Sequence, residues 1–277
     1  MITIVTAFYD IGRSDWNFKP RSVEHYFSNF ERMCRLQNNT ILFTSEKFRD
    51  RIEIILQKKK NLTVYYVDIF ETNAELLEKI SAVQNNESFK EGITNPASPE
   101  YFEPRYILIN YLKSYFCIEA FKRDNQLTGT VAWIDFGYCR KNRYLPTTKR
   151  WDYEFSDKIH LFNLIDIHDD IDIVETIKTN TVYIQGCHIV AQQKGWLRLN
   201  QLMAEVLNDL LSKTLVDDDQ TLLLLSYLKS KEDFVIHKAQ ITKKLGWFFI
   251  FKHFNLAKNN AGLPSRFIQF FVRNPKT

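Results

Sequence analysis

Apolar and polar positions alternate in blocks along the first 70 residues. Two segments, 22–36 and 48–59, carry aromatic and aliphatic side chains at helical spacing. Three short apolar runs flank them and have the composition of buried strands: ITIVTAFY (2–9), NTILFT (39–44) and LTVYYVDI (62–69). This βαβαβ order predicts a parallel sheet with helices on both faces.

The pattern continues with a polar stretch, residues 72–104, that is broken by prolines and predicts a helix followed by a loop. A long apolar helix at 105–123 and a fourth parallel strand, TVAWID, which ends at Asp135, come next. Residues 181–211 then predict a strand, a turn at Gly186 and a long amphipathic helix. A helix opened by VDDDQT at 216 and a short strand, FVIHK at 234–238, follow. There is no internal repeat and no low-complexity linker. We expect one α/β domain over residues 1–240 with a mainly parallel sheet, and a basic, aromatic helical extension over 241–277.

Composition limits the function classes. A chain of 277 residues that is 45% hydrophobic can bury a large core. Its longest uncharged apolar stretches, 221–228 and 247–251, are far shorter than the roughly 20 residues of a spanning helix. The first strand pattern starts at residue 2 without a basic leader, which predicts a cytoplasmic protein with no export signal. The four cysteines lack C-x-x-C spacing, so they suggest neither a zinc ribbon nor a disulfide framework.

Asp135 ends an apolar strand in the sequence VAWIDFGYCR. In open α/β sheets this edge is where ligands bind. A carboxylate here can cap the next turn, or it can hold Mg²⁺ or Mn²⁺ beside a phosphate-bearing substrate. Gly137 would let the backbone approach such a ligand closely.

Asp217, Asp218 and Asp219 open the helix of residues 216–228. Acids are favoured at a helix amino end, but one carboxylate is enough for a cap. Three adjacent carboxylates therefore suggest a catalytic role as well. His237, on the short strand that follows, is by itself more often a structural group than a metal ligand.

Taken together, TIVTAFYDIGR, YILINYLKSYF, WIDFGY and VDDDQT resemble the WlaTB/HtrL/YibB family of bacterial proteins, found with genes for lipooligosaccharide, lipopolysaccharide and capsule synthesis. The resemblance covers roughly residues 1–250. Members look like GT-A glycosyltransferases, which implies a GT-A-like domain and a nucleotide-sugar diphosphate held by Mn²⁺ or Mg²⁺ on an Asp-x-Asp motif. This chain departs from that motif, because only Asp135 matches and Gly137 takes the third position.

The resemblance also implies a set of site residues. Asp135 and His237 would hold the metal, and one of Asp217, Asp218 and Asp219 would act as general base in an inverting reaction. In a retaining reaction these acids would instead orient a substrate. The donor would meet Thr6, Ala7, Asp10, Arg13, Arg105, Lys113 and Gly137, whereas Gly186, Trp196 and Gln220 look similar to residues of family 8 glycosyltransferases, with Gly186 and Gln220 on the acceptor side.

Three functions remain open at this point. The first is transfer of a sugar, with a UDP-sugar donor favoured, to a saccharide or lipid-linked saccharide acceptor. The second is metal-dependent phosphoryl or nucleotidyl transfer, because clustered aspartates also hold metals for phosphate chemistry. The third is non-catalytic binding on the same scaffold. The absence of a P-loop and of G-x-G-x-x-G argues against ATPases and dehydrogenases.

The carboxyl-terminal residues 238–277 combine eight basic residues with bulky aromatics and contain no acid. A helix pair packing its aromatics on the core would explain this pattern. No nucleic-acid recognition motif accompanies it. Basic residues around aromatics also describe an interfacial segment. We therefore expect peripheral attachment to the anionic inner face of the cytoplasmic membrane, centred on residues 243–273.

Overall fold

The computed structural model describes residues 2–239 and 241–256, and its centre is a seven-stranded sheet. The strands are β1 (Thr3–Phe8), β2 (Thr40–Thr44), β3 (Leu62–Tyr66), β4 (Thr130–Ile134), β5 (Ile159–Asn163), β6 (His188–Gln192) and β7 (Phe234–Lys238). Their order in the sheet is β3-β2-β1-β4-β6-β5-β7. β6 pairs antiparallel with β4 and β5, and the other pairings are parallel.

This order confirms the predicted mainly parallel sheet flanked by helices and is consistent with a GT-A-like α/β domain. The chain runs outward from β1 through β2 to β3 and then returns to place β4 on the other side of β1. The strand order therefore reverses between β1 and β4. In open α/β sheets the loops at such a reversal diverge and leave a crevice for a ligand.

Helices cover both faces of the sheet. They are α1 (Val23–Met33), α2 (Arg49–Leu56), α3 (Ile69–Thr72), α4 (Ala74–Asn85), α5 (Glu87–Lys90), α6 (Pro104–Tyr111), α7 (Lys113–Arg123), α8 (Ile173–Thr179), α9 (Gln193–Ser212), α10 (Asp219–Lys229) and α11 (Ile250–His253). Short 3₁₀ turns span Arg13–Asp15, Glu46–Phe48, Pro99–Tyr101, Asn142–Tyr144 and Lys231–Asp233. The single helix predicted over 105–123 is two helices, divided at Leu112.

Successive residues of each strand enter different cores, because side chains alternate across a sheet. Trp133 belongs to the core beneath α7, α9 and α10, whereas Ile134 belongs to the core beneath α1 and α2. Asp135 returns to the Trp133 side, where its Oδ1 accepts a hydrogen bond of 2.8 Å from Trp133 Nε1. The polarity change at the end of β4 therefore places a carboxylate beside α7.

The strand predicted before Gly186 is wrong. Residues 181–185 contain one isolated bridge, between Asn163 and Ile184, and the regular strand is β6, which follows Gly186. Both runs alternate well enough to form a strand, but the second lies between β4 and β5 and pairs with both. Tertiary pairing selects it, and it is the strand that runs against the others.

The described part of the predicted carboxyl-terminal extension belongs to the α1/α2 core. Phe249, Phe251 and Phe254 are buried there, and the Trp151 indole donates to the Phe254 carbonyl at 2.6 Å. These three rings therefore do not face lipid. The rest of the extension, residues 257–277, lies outside the described residues, and the domain boundary near residue 240 stays a prediction. Within the described ranges, no helix combines the length and apolarity needed to span a bilayer.

Candidate functional site

A cleft of about 380 Å³ opens at the carboxyl ends of β1 and β4, where the strand order reverses. Of the residues predicted for the site, Ala7, Asp10, Arg13, Lys113, Asp135, Gly137, Gly186, Asp218, Asp219 and Gln220 line it. The chain thus brings together segments from its first, middle and last thirds. This convergence makes the cleft the candidate functional site.

Lys113 forms the centre of the cleft floor. It is the first residue of α7, its side chain is 3% exposed, and its Nζ lies 2.7 Å from Asp219 Oδ2 and 3.2 Å from Asp135 Oδ1. Nζ also donates to the Gly186 carbonyl at 3.0 Å. Of the three donors of this ammonium, two hydrogen-bond to Asp219 and Gly186, and Asp135 is an ion-pair partner. Burial alone would lower the pKa of Lys113, but Asp135 and Asp219 raise it above its ordinary value, so the side chain is a fixed cation.

Gly186 is required by the approach of Asp219. A Cβ built on Gly186 would lie 1.7 Å from Asp219 Oδ2, which no side chain allows. The missing side chain lets the Asp219 carboxylate lie against the backbone and share Lys113 with the Gly186 carbonyl. Gly186 therefore allows this ion pair to form, and its place on the acceptor side stays a prediction.

The three predicted catalytic aspartates have different surroundings. Asp217 does not line the cleft, and its Oδ2 accepts a hydrogen bond of 2.5 Å from the Thr221 hydroxyl. Asp219 is paired with Lys113. Asp218 lines the cleft and caps α10, its Oδ1 accepting from the Gln220 amide at 2.9 Å. Asp218 therefore caps the helix and also lines the cleft.

An acidic side chain that the sequence did not reveal, Glu100, completes this cluster. It lines the cleft, is 7% exposed, and its Oε2 has no hydrogen-bond partner within the described residues. Burial raises the pKa of Asp218 well above its usual range, and the neighbouring carboxylates Asp219, Asp217 and Glu100 add to the shift. Burial likewise raises the pKa of Asp217 from 3.8 to about 7.

Asp217→Asn is expected to stabilise the protein at alkaline pH. Because the folded pKa lies above the unfolded one, the folded state retains the proton as pH rises from about 4 to about 7, and the free energy of unfolding falls through that window. An amide cannot ionise and still accepts from Thr221. Melting curves should therefore show the variant several degrees more stable than wild type at pH 8 and equal to it near pH 4. A constant difference across pH would contradict this.

The residues around Asp135 do not fit a bound divalent cation well. Asp135 Oδ1 already accepts from Trp133 and faces the Lys113 ammonium. A divalent ion about 4 Å from that ammonium would be repelled by about 8 kcal/mol at an effective dielectric constant near 20. The position of the missing second carboxylate is also occupied, since a Cβ on Gly137 would lie 3.1 Å from the Tyr26 ring. Among residues 2–239 and 241–256, no group of three His, Cys, Asp or Glu side chains is arranged to hold a metal.

The prediction that His237 shares a metal with Asp135 is not supported by the geometry. His237 pairs in register with Phe162 on β5, and the two rings stack at 5.0 Å, in the α1/α2 core. Its Nε2 lies 2.8 Å from His160 Nδ1. Asp135 is on the other side of the sheet and three strands away, roughly 14 Å at ordinary strand spacing. His237 is a structural histidine.

Other predicted residues also lie outside the cleft lining. Thr6 is fully buried within β1. Arg105 is held by Glu103, with Nε 2.8 Å from Oε1. Trp196 is fully buried, and its indole donates to the Val131 carbonyl at 3.1 Å. The structure thus places these side chains outside the cleft lining, and contact of Thr6 and Arg105 with a donor stays a prediction.

The sequence also missed three basic residues of the cleft. Lys19, Arg21 and Arg140 line it together with Arg13, and these four side chains form its basic wall. Their positions carried a signal, because the first two lie in the loop after β1 and the third in the loop after β4. Loops at the carboxyl ends of adjacent strands meet at one edge of the sheet.

The fold and the site define an α/β protein with a charged cleft at the reversal point of its sheet. The chain belongs to the family described as "Bacterial protein of unknown function (HtrL_YibB)", whose model matches residues 1–256. It is 34% identical to Protein HtrL of Escherichia coli (strain K12) over 283 residues, which covers 98% of this chain and 97% of HtrL. The predicted family is therefore confirmed.

Solved structures with some similarity include two transferases. The apo form of mouse xyloside xylosyltransferase 1 aligns with a TM-score of 0.38 and 9% identity, covering 85% of this chain and 83% of that one. A 4-diphosphocytidyl-2C-methyl-D-erythritol synthase from Anaerococcus prevotii DSM 20548 aligns with a TM-score of 0.39 and 14% identity, covering 86% of each chain.

Proposed function

We propose that the chain is a glycosyltransferase that moves a sugar from a nucleoside-diphosphate donor, with UDP-sugars favoured, to a saccharide acceptor of the lipooligosaccharide, lipopolysaccharide or capsule type. One observation carries the proposal: the cleft at the strand-order reversal has a basic wall facing buried carboxylates. A nucleotide sugar has a charge distribution that complements this cleft, because its anionic diphosphate lies next to a neutral sugar rich in hydroxyl groups. Membership of a family found with surface-polysaccharide genes agrees with it.

The cleft suggests a division of roles along its length. Ala7 lies near the carboxyl end of β1 and Asp10 follows the strand, at the end where the nucleoside would bind. The diphosphate would face the arginines of the basic wall, because guanidinium groups bind phosphate oxygens in pairs. Asp135 has a side chain that is 39% exposed, and it would accept hydrogen bonds from the donor sugar.

Asp218 is the proposed general base for an inverting transfer. The acceptor hydroxyl would give its proton to Asp218 and attack the anomeric carbon, while the bond from that carbon to the diphosphate oxygen breaks and the nucleoside diphosphate leaves. The raised pKa of Asp218, caused first by burial and then by its acidic neighbours, makes it a stronger base than an ordinary carboxylate. Asp217 would act by helping to raise the pKa of Asp218, and Asp219 would act by holding Lys113.

Asp218→Asn is expected to reduce transfer by about a hundredfold or more, the range for loss of a general base. Asn is as good a cap as Asp and removes a carboxyl whose pKa burial raises, so the melting temperature should equal that of wild type near pH 4 and should not fall below it at higher pH. Asp218→Ala is the matched control, because it loses the cap as well and should cost about 1 kcal/mol of stability. The rates would be compared once a donor is identified. If the Asn variant is active and the Ala variant is unstable, Asp218 acts only as a helix cap.

A thermal-shift screen of nucleotide sugars tests the proposed donor class. A ligand at a hundred times its dissociation constant stabilises a protein by about 2.7 kcal/mol. We expect at least one nucleotide sugar to raise the melting temperature, and the free sugar and the nucleoside to have little effect. If no nucleotide sugar shifts the melting temperature, with or without Mn²⁺, the proposal fails.

Peripheral membrane attachment is part of the proposal, because a lipid-linked acceptor is held at the membrane surface. Lys243, Lys244 and Trp247 are exposed, with Trp247 at 36%. A chain ending near residue 240 would lose Phe249, Phe251 and Phe254 from the core, so the informative truncation ends after residue 256. We expect that truncation to sediment less with anionic liposomes than the full chain, and less of either to sediment at high salt. Equal recovery of both would contradict docking by residues 257–277, and recovery of both that does not fall at high salt would contradict docking by Lys243 and Lys244.

A further inference from the structure

Four cations line one wall of the cleft without acidic partners. This basic wall consists of Arg13, Lys19, Arg21 and Arg140. In the part of the chain that the structure describes, none of the four forms an ion pair, although sixteen others are formed elsewhere. Arg13 Nε is buried and has no hydrogen-bond acceptor among those residues. A buried donor without an acceptor indicates that a ligand supplies one.

The basic wall is held together against its own repulsion. The Arg21 amide donates to the Arg13 carbonyl at 3.1 Å, which keeps the two arginines in one loop. Burial and the nearby Arg21 guanidinium lower the pKa of Arg140. Burial, Arg140, Arg21, Arg32 and Arg13 together lower the pKa of His25. A cluster of like charges at the mouth of a cleft favours an anion with more than one negative charge.

The contacts that orient the wall come from aromatic rings instead of carboxylates. The Arg13 guanidinium carbon lies 5.0 Å from the Trp16 ring centroid, and that of Arg140 lies 4.7 Å from the Phe248 centroid. Stacking on a ring fixes a guanidinium plane and leaves its N–H donors available. The arginines are thus oriented for a ligand before it arrives.

On the opposite side, the carboxylates have an internal cation. The Lys113 ammonium lies between Asp135 and Asp219, donates hydrogen bonds to Asp219 and the Gly186 carbonyl, and forms an ion pair with Asp135. A side chain at position 137 would be tight against the Tyr26 ring. The structure therefore has a lysine where a metal on Asp135 would be expected.

We propose that this protein binds the nucleoside diphosphate of its donor without a divalent metal, with Arg13, Arg21 and Arg140 neutralising the diphosphate and Lys113 holding Asp135 in place. This inference rests on the proposed nucleotide-sugar function. It replaces the expected Mn²⁺ or Mg²⁺ by side chains of the chain itself. The arginines would also stabilise the charge that develops on the leaving diphosphate.

Titration calorimetry with UDP, GDP, ADP, CDP and dTDP, each in EDTA and in Mn²⁺, tests the proposal. We expect at least one nucleotide to bind in EDTA, with a dissociation constant within about threefold of that in Mn²⁺. Binding that appears only with Mn²⁺, or strengthens about tenfold or more, would overturn the inference and leave the proposed function intact. No binding of any nucleotide in either condition would contradict the proposed function itself.

Four variants sharpen the test. In EDTA, Arg21→Gln and Arg140→Gln should each weaken binding about tenfold, which corresponds to about 1.4 kcal/mol, because each variant loses a charged donor to the diphosphate. Lys79→Gln is the matched control, since Lys79 is an exposed cation outside the cleft that pairs with Glu75. Asp135→Asn separates the two accounts further. Measured in Mn²⁺, it should leave affinity equal or higher if arginines bind the diphosphate, and it should abolish binding if Asp135 holds a required metal.

Discussion

Replacing Lys113 by Met is expected to lower the free energy of unfolding by about 3–5 kcal/mol, the cost of removing one partner from a buried ion pair. Asp219, whose side chain is 2% exposed, would keep its charge beside Asp135 with no cation between them. For a chain of this size such a loss corresponds to a fall in melting temperature of about 10 °C. Thermal unfolding followed by circular dichroism measures it.

Two controls separate the ion pair from general damage to the core. Asp135→Asn keeps the Lys113–Asp219 pair and should cost little stability. The double variant Lys113→Met with Asp219→Asn removes both buried charges and should recover much of the loss. In Lys113→Met the deficit should also shrink at acid pH, because protonation of Asp219 removes the uncompensated charge. A double variant no more stable than Lys113→Met would contradict this account.

Gly186→Ala is expected to be as damaging as a change within the ion pair, although it adds a single methyl group. Its Cβ would lie 1.7 Å from Asp219 Oδ2, so Asp219 must move away and lose Lys113. We expect a stability loss of several kcal/mol, at the large end for one substitution, together with loss of nucleotide binding. Urea unfolding and the calorimetry described above measure the two effects.

Gly137→Ala is the comparison for this prediction. There the new Cβ would lie 3.1 Å from a Tyr26 ring carbon, and a ring at the edge of a cleft can shift by a few tenths of an ångström. The loss should be clearly smaller than at Gly186. Equal stability of the two alanine variants would mean that Asp219 is not held against the backbone in the way described.

The sequence was sufficient to predict most of the fold because its local patterns agree with the tertiary structure. β1 and β2 are uniformly buried, as apolar runs in parallel sheets are. The failure at Gly186 has a physical cause: two runs of similar pattern flank the glycine, and only pairing with β4 and β5 decides between them. Such long-range pairing is not encoded in the local alternation.

The sequence predicted the site residues at the ends of strands and the starts of helices, but it predicted less well which side chains pair with them. Asp135 follows from the end of an apolar strand, and Asp218 from the start of a helix. The pairing of Lys113 with Asp219 joins residues 106 positions apart, and Glu100 comes from a loop without periodicity. His237 was misassigned because a register along β7 cannot be read from residue type. Position along the chain indicated the edge of the sheet, but not which charges meet there.

The measurement that tests the central claim most directly is release of nucleoside diphosphate from nucleotide sugars by the purified protein, followed by chromatography. The account predicts that wild type slowly hydrolyses at least one donor in the absence of an acceptor. It also predicts that Asp218→Asn and Arg140→Gln lose this activity while keeping the wild-type fold by circular dichroism. If wild type consumes no nucleotide sugar, with or without Mn²⁺ and surface saccharide extracts as acceptor, the chain is not a nucleotide-sugar transferase.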